Sequence, residues 1–456
     1  MKKKVILLIA LVFSIGLLTA CVKEEAPTIQ MNEPAKRIIS LYSAHTENLF
    51  ALGLDEEIIG VGKSDAYPVN VTTKDVYDYR SDPEKVIAAD PDLVLIRPFI
   101  KKSKPEFVEA LENAGIKVVS LYPNTFEKFP EYVRTLATLT GKEEVAEEKL
   151  KQFDEELKAL EEKTKNIEPK INVFFEATET EYRTITTDSM AARAIRLAGG
   201  NNIASDAKAM REGTTIASYG EERILEKADQ IDVYVSQRGA MSSGGNLHSI
   251  MIRPGFDAVK AVEDKRVYTI DEKLVSSPTF RFTKGIKELT RMFYPEIMDD
   301  LTSFKTEDEL TKSTFAKSIV MFTHKGIFAP TSKYYGKKHR GHIYGTFEDV
   351  PVDREDFDYI ETAVLSGFIS SDKTKFEPDK KVTREDLAKA LYLLGDLKDN
   401  QNSSLIIKDI DECDNDRIVE MVVKNKLMLL EDGKFNPNRI VTQKEAIEAM
   451  ERLKNI

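Results

Sequence analysis

The chain has 456 residues, 41% of them hydrophobic, with 77 acidic against 66 basic side chains and a formal net charge of −11. That length holds two or three domains with sizeable cores. The acidic balance, with no long clustered basic run, argues against nucleic acid as a partner. Five scattered histidines (45, 248, 324, 339 and 342) and no HExxH or CxxC pair argue against a bare-metal site.

The first segment, MKKKVILLIALVFSIGLLTAC, carries three lysines and then an apolar run from Val5 to Ala20. A membrane span needs about 20 residues, so residues 1–20 read as a secretory signal closed by small residues before Cys21. The segment resembles a bacterial lipoprotein signal, which implies lipidation of Cys21. An ordinary cleaved signal with an incidental cysteine is the alternative. Residues 21–36 are acidic and contain proline, as a flexible tether would. Beyond Cys21 only Cys413 remains, so the mature chain has no cysteine pair for an intrachain disulfide.

From 37 to 140 strands and helices alternate. RIISLYS and EIIGVGKS are β-branched runs, HTENLFALGL is helical, PEKVIAAD leads into the strand LVLI, and an amphipathic KPEFVEALENAGI precedes KVVSLYP. The alternation resumes over 170–297, with INVFFEA, IDVYVSQ and KRVYTID as strands and DSMAARAIRLAGG, EERILEKA and FTKGIKELTRMF as helices. Such units predict two α/β lobes with mostly parallel sheets. Between them, 141–169 is dense in Glu, Lys, Leu and Ala, with an apolar stripe at Leu150, Phe153, Leu157 and Leu160. It predicts one long helix of about 25 residues, about 37 Å at 1.5 Å per residue, serving as a strut.

Two stretches in the two halves match each other: SDPEKVIAADPDLVLIRP from Ser81 and YGEERILEKADQIDVYVSQ from Tyr219. Each is a Glu-led short helix running into a buried strand. Together with RIISLYSAHTENLFALGLDEEIIGVG, AGIKVVSL, LAGGNNIA and the run Arg253–Glu296, they resemble the metal-chelate class of ABC-importer substrate-binding proteins. That class takes up cobalamin, ferric siderophores and haem. The resemblance covers about 260 residues and implies two lobes bridged by a long helix, ligand in the cleft, a membrane permease with its ATPase as partner, and no cofactor or catalysis. It also implies that Glu84 and Glu222, with Glu221 as an alternative, face arginine pockets on the permease. A carboxylate beginning a helix is in any case favoured by the helix dipole and suits a bidentate arginine partner.

In sheets of this kind ligands sit at the carboxyl ends of strands. The candidates there are Tyr42, Ser43, His45, Tyr67, Tyr79 and Arg97 in the first lobe, and Arg211, Tyr219, Arg238, His248 and Arg281 in the second. Aromatic faces and arginine forks suit a large, anionic or oxygen-rich chelate. His45 has an alternative as a residue of the helix start, Tyr42 as core, and His248 as part of a glycine-loop lid. The chain has no Trp, whereas cobalamin proteins of the class usually use tryptophan in the cleft. An iron complex therefore ranks before a corrinoid.

After Glu296 the α/β alternation stops. Phe304, Phe376 and Phe435 each precede a threonine (Thr311, Thr383, Thr442) by seven residues, and Asp349 and Asp409 stand 60 apart. The period marks an internal repeat over 298–456, mainly helical. These units resemble S-layer homology modules, which implies cell-wall polysaccharide as a ligand through Thr383, Arg384 and Glu385 of VTRED. The third unit has TQKE and the first TKST, so two and a half modules carry one full motif. A helical spacer or a purely structural wall-attachment protein is the competing reading. No GxSxG, P-loop or histidine–carboxylate cluster with catalytic spacing points to an enzyme.

Overall fold

The structure, a computed structural model, describes residues 31–454 apart from 32, 124, 240–243, 326–345, 352–353, 370–373, 396 and 398–405. The signal segment, Cys21, most of the tether, His339 and His342 lie outside the described residues. No helix among those described is long and apolar enough to cross a membrane.

In the first lobe, short strands rich in Ile, Val and Leu form a five-stranded parallel sheet. They are β1 (Ile38–Ser40), β2 (Ile58–Gly62), β3 (Asp75–Tyr77), β4 (Leu93–Ile96) and β5 (Lys117–Ser120), in the order β3-β2-β1-β4-β5. The central strands β1 and β4 are buried at every position, as the continuous apolar runs of parallel sheets require. Helices α1 (Ser43–Ala51), α2 (Glu84–Ala88) and α3 (Pro105–Asn113) lie between the strands. Proline starts α3 at no cost in hydrogen bonds, and Gly115, at φ +80°, follows its end. The β3 strand was not foreseen, being only three residues long.

The second lobe has a four-stranded parallel sheet of β6 (Ile171–Glu176), β7 (Gly200–Asn202), β8 (Val233–Arg238) and β9 (Val267–Asp271), ordered β9-β8-β6-β7. A small antiparallel sheet of 184–185, 208–209 and 216–218 adds to it. Neither that sheet nor β7 has a hydrophobic alternation in the sequence.

Between the lobes run α4 (Phe129–Thr140), stopped by Gly141 at φ +67°, and the strut α5 (Glu143–Thr164). The strut is one helix of 22 residues, about 33 Å long, rather than 25. It is not a bare rod: Leu150, Phe153 and Leu160 share one buried core with Leu95 of the first sheet and Phe175 and Val235 of the second. The two sheets remain separate.

The tail is mainly helical, with its own core. Its main helices are α6 (Lys312–Phe322), α7 (Phe357–Leu365), α8 (Arg384–Leu394), α9 (Asp416–Lys424) and α10 (Gln443–Leu453). Thr311, Thr383 and Thr442 cap α6, α8 and α10 by accepting a backbone N–H three residues on. The segments before these caps close a three-membered ring: Leu310 N–H donates to Val441, Val382 to Leu310 and Val441 to Val382, at 2.9–3.0 Å. The TKST unit is thus a full partner in the ring despite its degenerate motif. The repeats also dock on the second lobe, whose closing helix, Phe282–Phe293, pairs Lys284 with Asp358 and Arg291 with the Val320 carbonyl.

Candidate functional site

The carboxyl ends of β1, β4 and β5 bring three sequence-distant segments together. Tyr42 follows β1, Arg97 follows β4 and Tyr122 follows β5. The Arg97 guanidinium lies 5.4 Å from the Tyr42 ring centroid and 5.1 Å from that of Phe99. Tyr42 and Tyr122 are tilted against each other at 6.0 Å. Burial, with the Tyr122 phenol adding to it, holds the Tyr42 hydroxyl well above the ordinary tyrosine range, so it stays protonated as a donor. Phe99 and Tyr122 are 52% and 41% exposed. Among the described residues, no carboxylate lies within 4 Å of the half-buried Arg97 cation. The patch therefore offers flat apolar faces and an uncommitted positive charge. Phe99 and Tyr122 were missed in the sequence, although they stand three and two residues past the ends of β4 and β5.

Beneath this patch α1 is polar yet buried from Ser43 to Asn48. Each side chain is spent on the second lobe or the core. Ser43 Oγ accepts from Lys273 Nζ at 2.8 Å, Asn48 Nδ2 donates to the Pro278 carbonyl at 2.9 Å, and Arg281 grips Glu47 through two bonds of 2.8 and 2.9 Å. Ser43 and Arg281 thereby join the lobes. Arg281 also covers the Tyr67 ring at 3.8 Å, away from Tyr42 and Arg97 in its contacts.

His45 is a core histidine. It is fully buried, with Nδ1 2.6 Å from Tyr132 Oη and Nε2 3.2 Å from the Ile96 carbonyl. Burial pushes its pKa down to about 4. No ring nitrogen is left for a ligand, which corrects the sequence assignment. The reason is the long-range fold: Tyr132 sits 87 residues on. Nearby Asp65 accepts from Thr46 and from the Gly62 N–H, keeps Oδ1 without a partner, and is pushed up to about 7 by burial.

In the second lobe, Arg238 at the end of β8 is exposed, with no carboxylate within 4 Å among the described residues. Its neighbour Gln237 is bonded to Ser276. Glu176, at the end of β6, is fully buried under donors from four residues: Tyr234 Oη, Ser236 Oγ, the Gly245 N–H, and Arg253 through Nη1 and Nη2. It pins the chain at 245 to the sheet. His248 and Arg211 are exposed, and among the described residues no contact brings either to Arg97. Tyr79 is half-buried beside Arg80. Tyr219 is a second correction, being 8% exposed and packed between Phe174 and the Arg223 guanidinium within the lobe core.

Glu84 and Glu222 are both exposed. Glu84 opens α2, which leads into β4; Glu222 lies in the first turn of the helix Glu221–Glu226, which leads into β8. Since β4 pairs with β1 and β8 with β6, the two glutamates hold equivalent places in the two lobes.

In the repeats, Thr383 is a helix cap, while Arg384 and Glu385 are buried. Arg384 stacks on Phe435 at 4.9 Å and donates to its carbonyl; Glu385 accepts the N–H groups of Asp414 and Asn415. Both are spent on the next repeat, which corrects their assignment to polysaccharide. Lys312 does the same to Phe376. At the third junction Gln443 replaces the cation, and a cavity of about 490 Å³ opens there, lined by Phe304, Ser313, Lys317, Arg354 and Gln443 among others.

Residues 38–274 match the family described as periplasmic binding protein, and 347–388 match the S-layer homology domain. The uncharacterized ABC transporter substrate-binding lipoprotein YvrC of Bacillus subtilis is 27% identical, over 59% of this chain and 83% of its own. A vitamin B12-binding protein of Vibrio campbellii is 28% identical, over 58% and 90%. A crystal structure of a "possible" iron-binding (periplasmic solute-binding) protein from Staphylococcus epidermidis superposes at a TM-score of 0.50 with 26% identity, over 57% and 100%.

Proposed function

Because this chain belongs to the periplasmic binding protein family and carries an S-layer homology domain, we propose that it is the extracytoplasmic substrate-binding component of an ABC importer. It captures an iron complex, a siderophore or haem, between the lobes. It delivers that cargo to a permease driven by an ATPase. Lipidation at Cys21 holds it to the outer face of the cytoplasmic membrane.

The observation that carries this reading is Arg97, held between the rings of Tyr42 and Phe99 beside Tyr122, with Arg238 as the exposed cation of the opposite lobe. Aromatic faces take the flat or apolar body of a chelate, and the arginines take its anionic groups. A corrinoid is the second ligand class, supported by the likeness to the vitamin B12-binding protein.

The test is a thermal-shift panel of haem, ferric siderophores and corrinoids on the full chain. A true ligand at 100 times its Kd adds about 2.7 kcal/mol, and Arg97→Ala abolishes that gain. A panel without any shift, or a shift indifferent to Arg97→Ala, overturns the cleft assignment. For docking, Glu84→Arg with Glu222→Arg abolishes uptake and leaves ligand affinity intact; lost affinity with intact coupling is the opposite result.

For the repeats, the cavity at Gln443 is the proposed polysaccharide site, in place of the buried Arg384 and Glu385. Lys317→Ala with Arg354→Ala then lowers binding to purified cell wall.

A further inference from the structure

A second cavity, of about 560 Å³, lies where the first lobe, the strut and the start of the closing helix of the second lobe meet. That volume is in the range of small-molecule sites. Phe50 and Tyr67 come from the first lobe, Lys149 and Phe153 from the strut, and Thr279 and Phe280 from the second lobe. None of Tyr42, Arg97, Phe99 and Tyr122 lines it, so it is separate from the patch described above.

The charges around it cancel in pairs. Arg281 is held by Glu47 at 2.8 Å, Lys287 by Glu156 at 3.5 Å, Lys284 by Asp358, and Asp55 by Lys74 at 2.8 Å. One lining cation is left over: Lys149, half-buried on the strut, with no carboxylate within 4 Å among the described residues. The second unmatched group is Thr279, 1% exposed, whose hydroxyl has no hydrogen-bond partner although it lines the cavity. Buried hydroxyls are normally satisfied, and an orphan at a cavity wall marks the place of a missing partner. Phe50, Tyr67, Phe153 and Phe280 give the cavity an aromatic wall, beside the uncharged Asn70, Gln152 and Thr283.

We propose that this cavity binds an organic monoanion with a flat apolar body, such as an aromatic carboxylate. Lys149 neutralises the carboxylate, the Thr279 hydroxyl hydrogen-bonds an oxygen of the ligand, and Phe50, Phe153 and Phe280 cover the ring. One uncancelled charge selects a single anionic group over a dianion or a cation. The assignment is independent of what the cleft holds.

The test titrates the full chain with 2-naphthoate and with its neutral analogue 2-naphthamide by calorimetry. The expected result is that naphthoate binds at least tenfold more tightly than the amide, and that Lys149→Gln, on the surface of a long helix, erases the difference. Thr279→Val lowers naphthoate affinity several-fold while raising the melting temperature, because an unsatisfied polar group is removed. Arg97→Ala, which disables the cleft, leaves naphthoate binding unchanged. Equal affinity for acid and amide, full affinity in Lys149→Gln or in Thr279→Val, or loss of binding in Arg97→Ala each overturns the proposal.

Discussion

The binding lobes and the repeats bury polar side chains in different ways. In the lobes the buried ion pairs are singular solutions that can reach far along the chain: Arg281 to Glu47 across 234 residues, Arg253 to Glu176 across 77. In the repeats the same solution recurs at a fixed offset. Asp349 accepts the N–H groups of Phe376 and Glu377, and Asp409 those of Phe435 and Asn436, at separations of 26–28 residues. Lys312 and Arg384 each cover the phenylalanine of the following unit. Periodic sequence makes internal polar groups look like ligand-binding motifs, because a motif that holds each repeat to the next is repeated as faithfully as one that binds a partner.

The largest expected effect breaks the lobe side of this contrast. Glu176→Ala leaves three donors buried without their acceptor and the Arg253 cation with only the exposed Glu179, at 2.9 Å, as its carboxylate. Removing one member of a buried pair costs about 3–5 kcal/mol, so urea unfolding of the lobes shifts by that amount; a loss below 1 kcal/mol would mean the network is solvated.

On the repeat side, Asp409→Ala orphans two backbone N–H groups and costs about 1–3 kcal/mol, and Asp349→Ala costs the same within error. Unequal losses, measured on the unfolding transition of the repeats, would show that the period does not equate the two units.

The smallest effect sharpens the contrast through pH. Burial raises Asp65 to about 7 and Glu288, on the helix facing the repeats, to about 8. An unfolded carboxyl releases its proton at a lower pH, so the folded lobes bind more protons and lose stability as pH rises through these values. His45, pushed down to about 4, acts the opposite way and only below about pH 6.5. In the repeats, Asp409 and Glu445 are held below the usual carboxylate range against the cost of burial, by backbone N–H groups and by Arg439 respectively. Their contribution is lost only in acid. Between pH 6.5 and 8 calorimetry therefore finds the lobe transition falling, by at most about 1.4 kcal/mol per pH unit for each proton, while the repeat transition stays flat. Asp65→Asn reduces the lobe slope; an unchanged slope refutes the assignment.

Much of the fold was legible. Strands such as Leu93–Ile96 and the stripe of Leu150, Phe153 and Leu160 follow from local hydrophobic period, and the repeat from Phe-to-Thr spacing. The candidate site was legible only in part. Tyr42 and Arg97, which the fold brings together, were picked out because strand ends in a parallel sheet gather on one edge. The same rule swept in His45 and Tyr219, whose neighbours Tyr132 and Phe174 come from other segments of the chain. It passed over Tyr122 and Phe99, and nothing local marks Thr279 as an orphan.

The amino-acid sequence by itself determined the two α/β lobes, the helix between them and the threefold repeat, because short-range period and turn chemistry dictate secondary structure and its order. Only the tertiary structure decided which polar groups face an open space and which are used up within the protein. Arg97 and Arg384 are both arginines beside aromatic rings, and only the latter donates its hydrogen bonds to a neighbouring carbonyl. The difference arises because hydrogen bonds and burial are settled between residues far apart in the chain, where no local pattern records them.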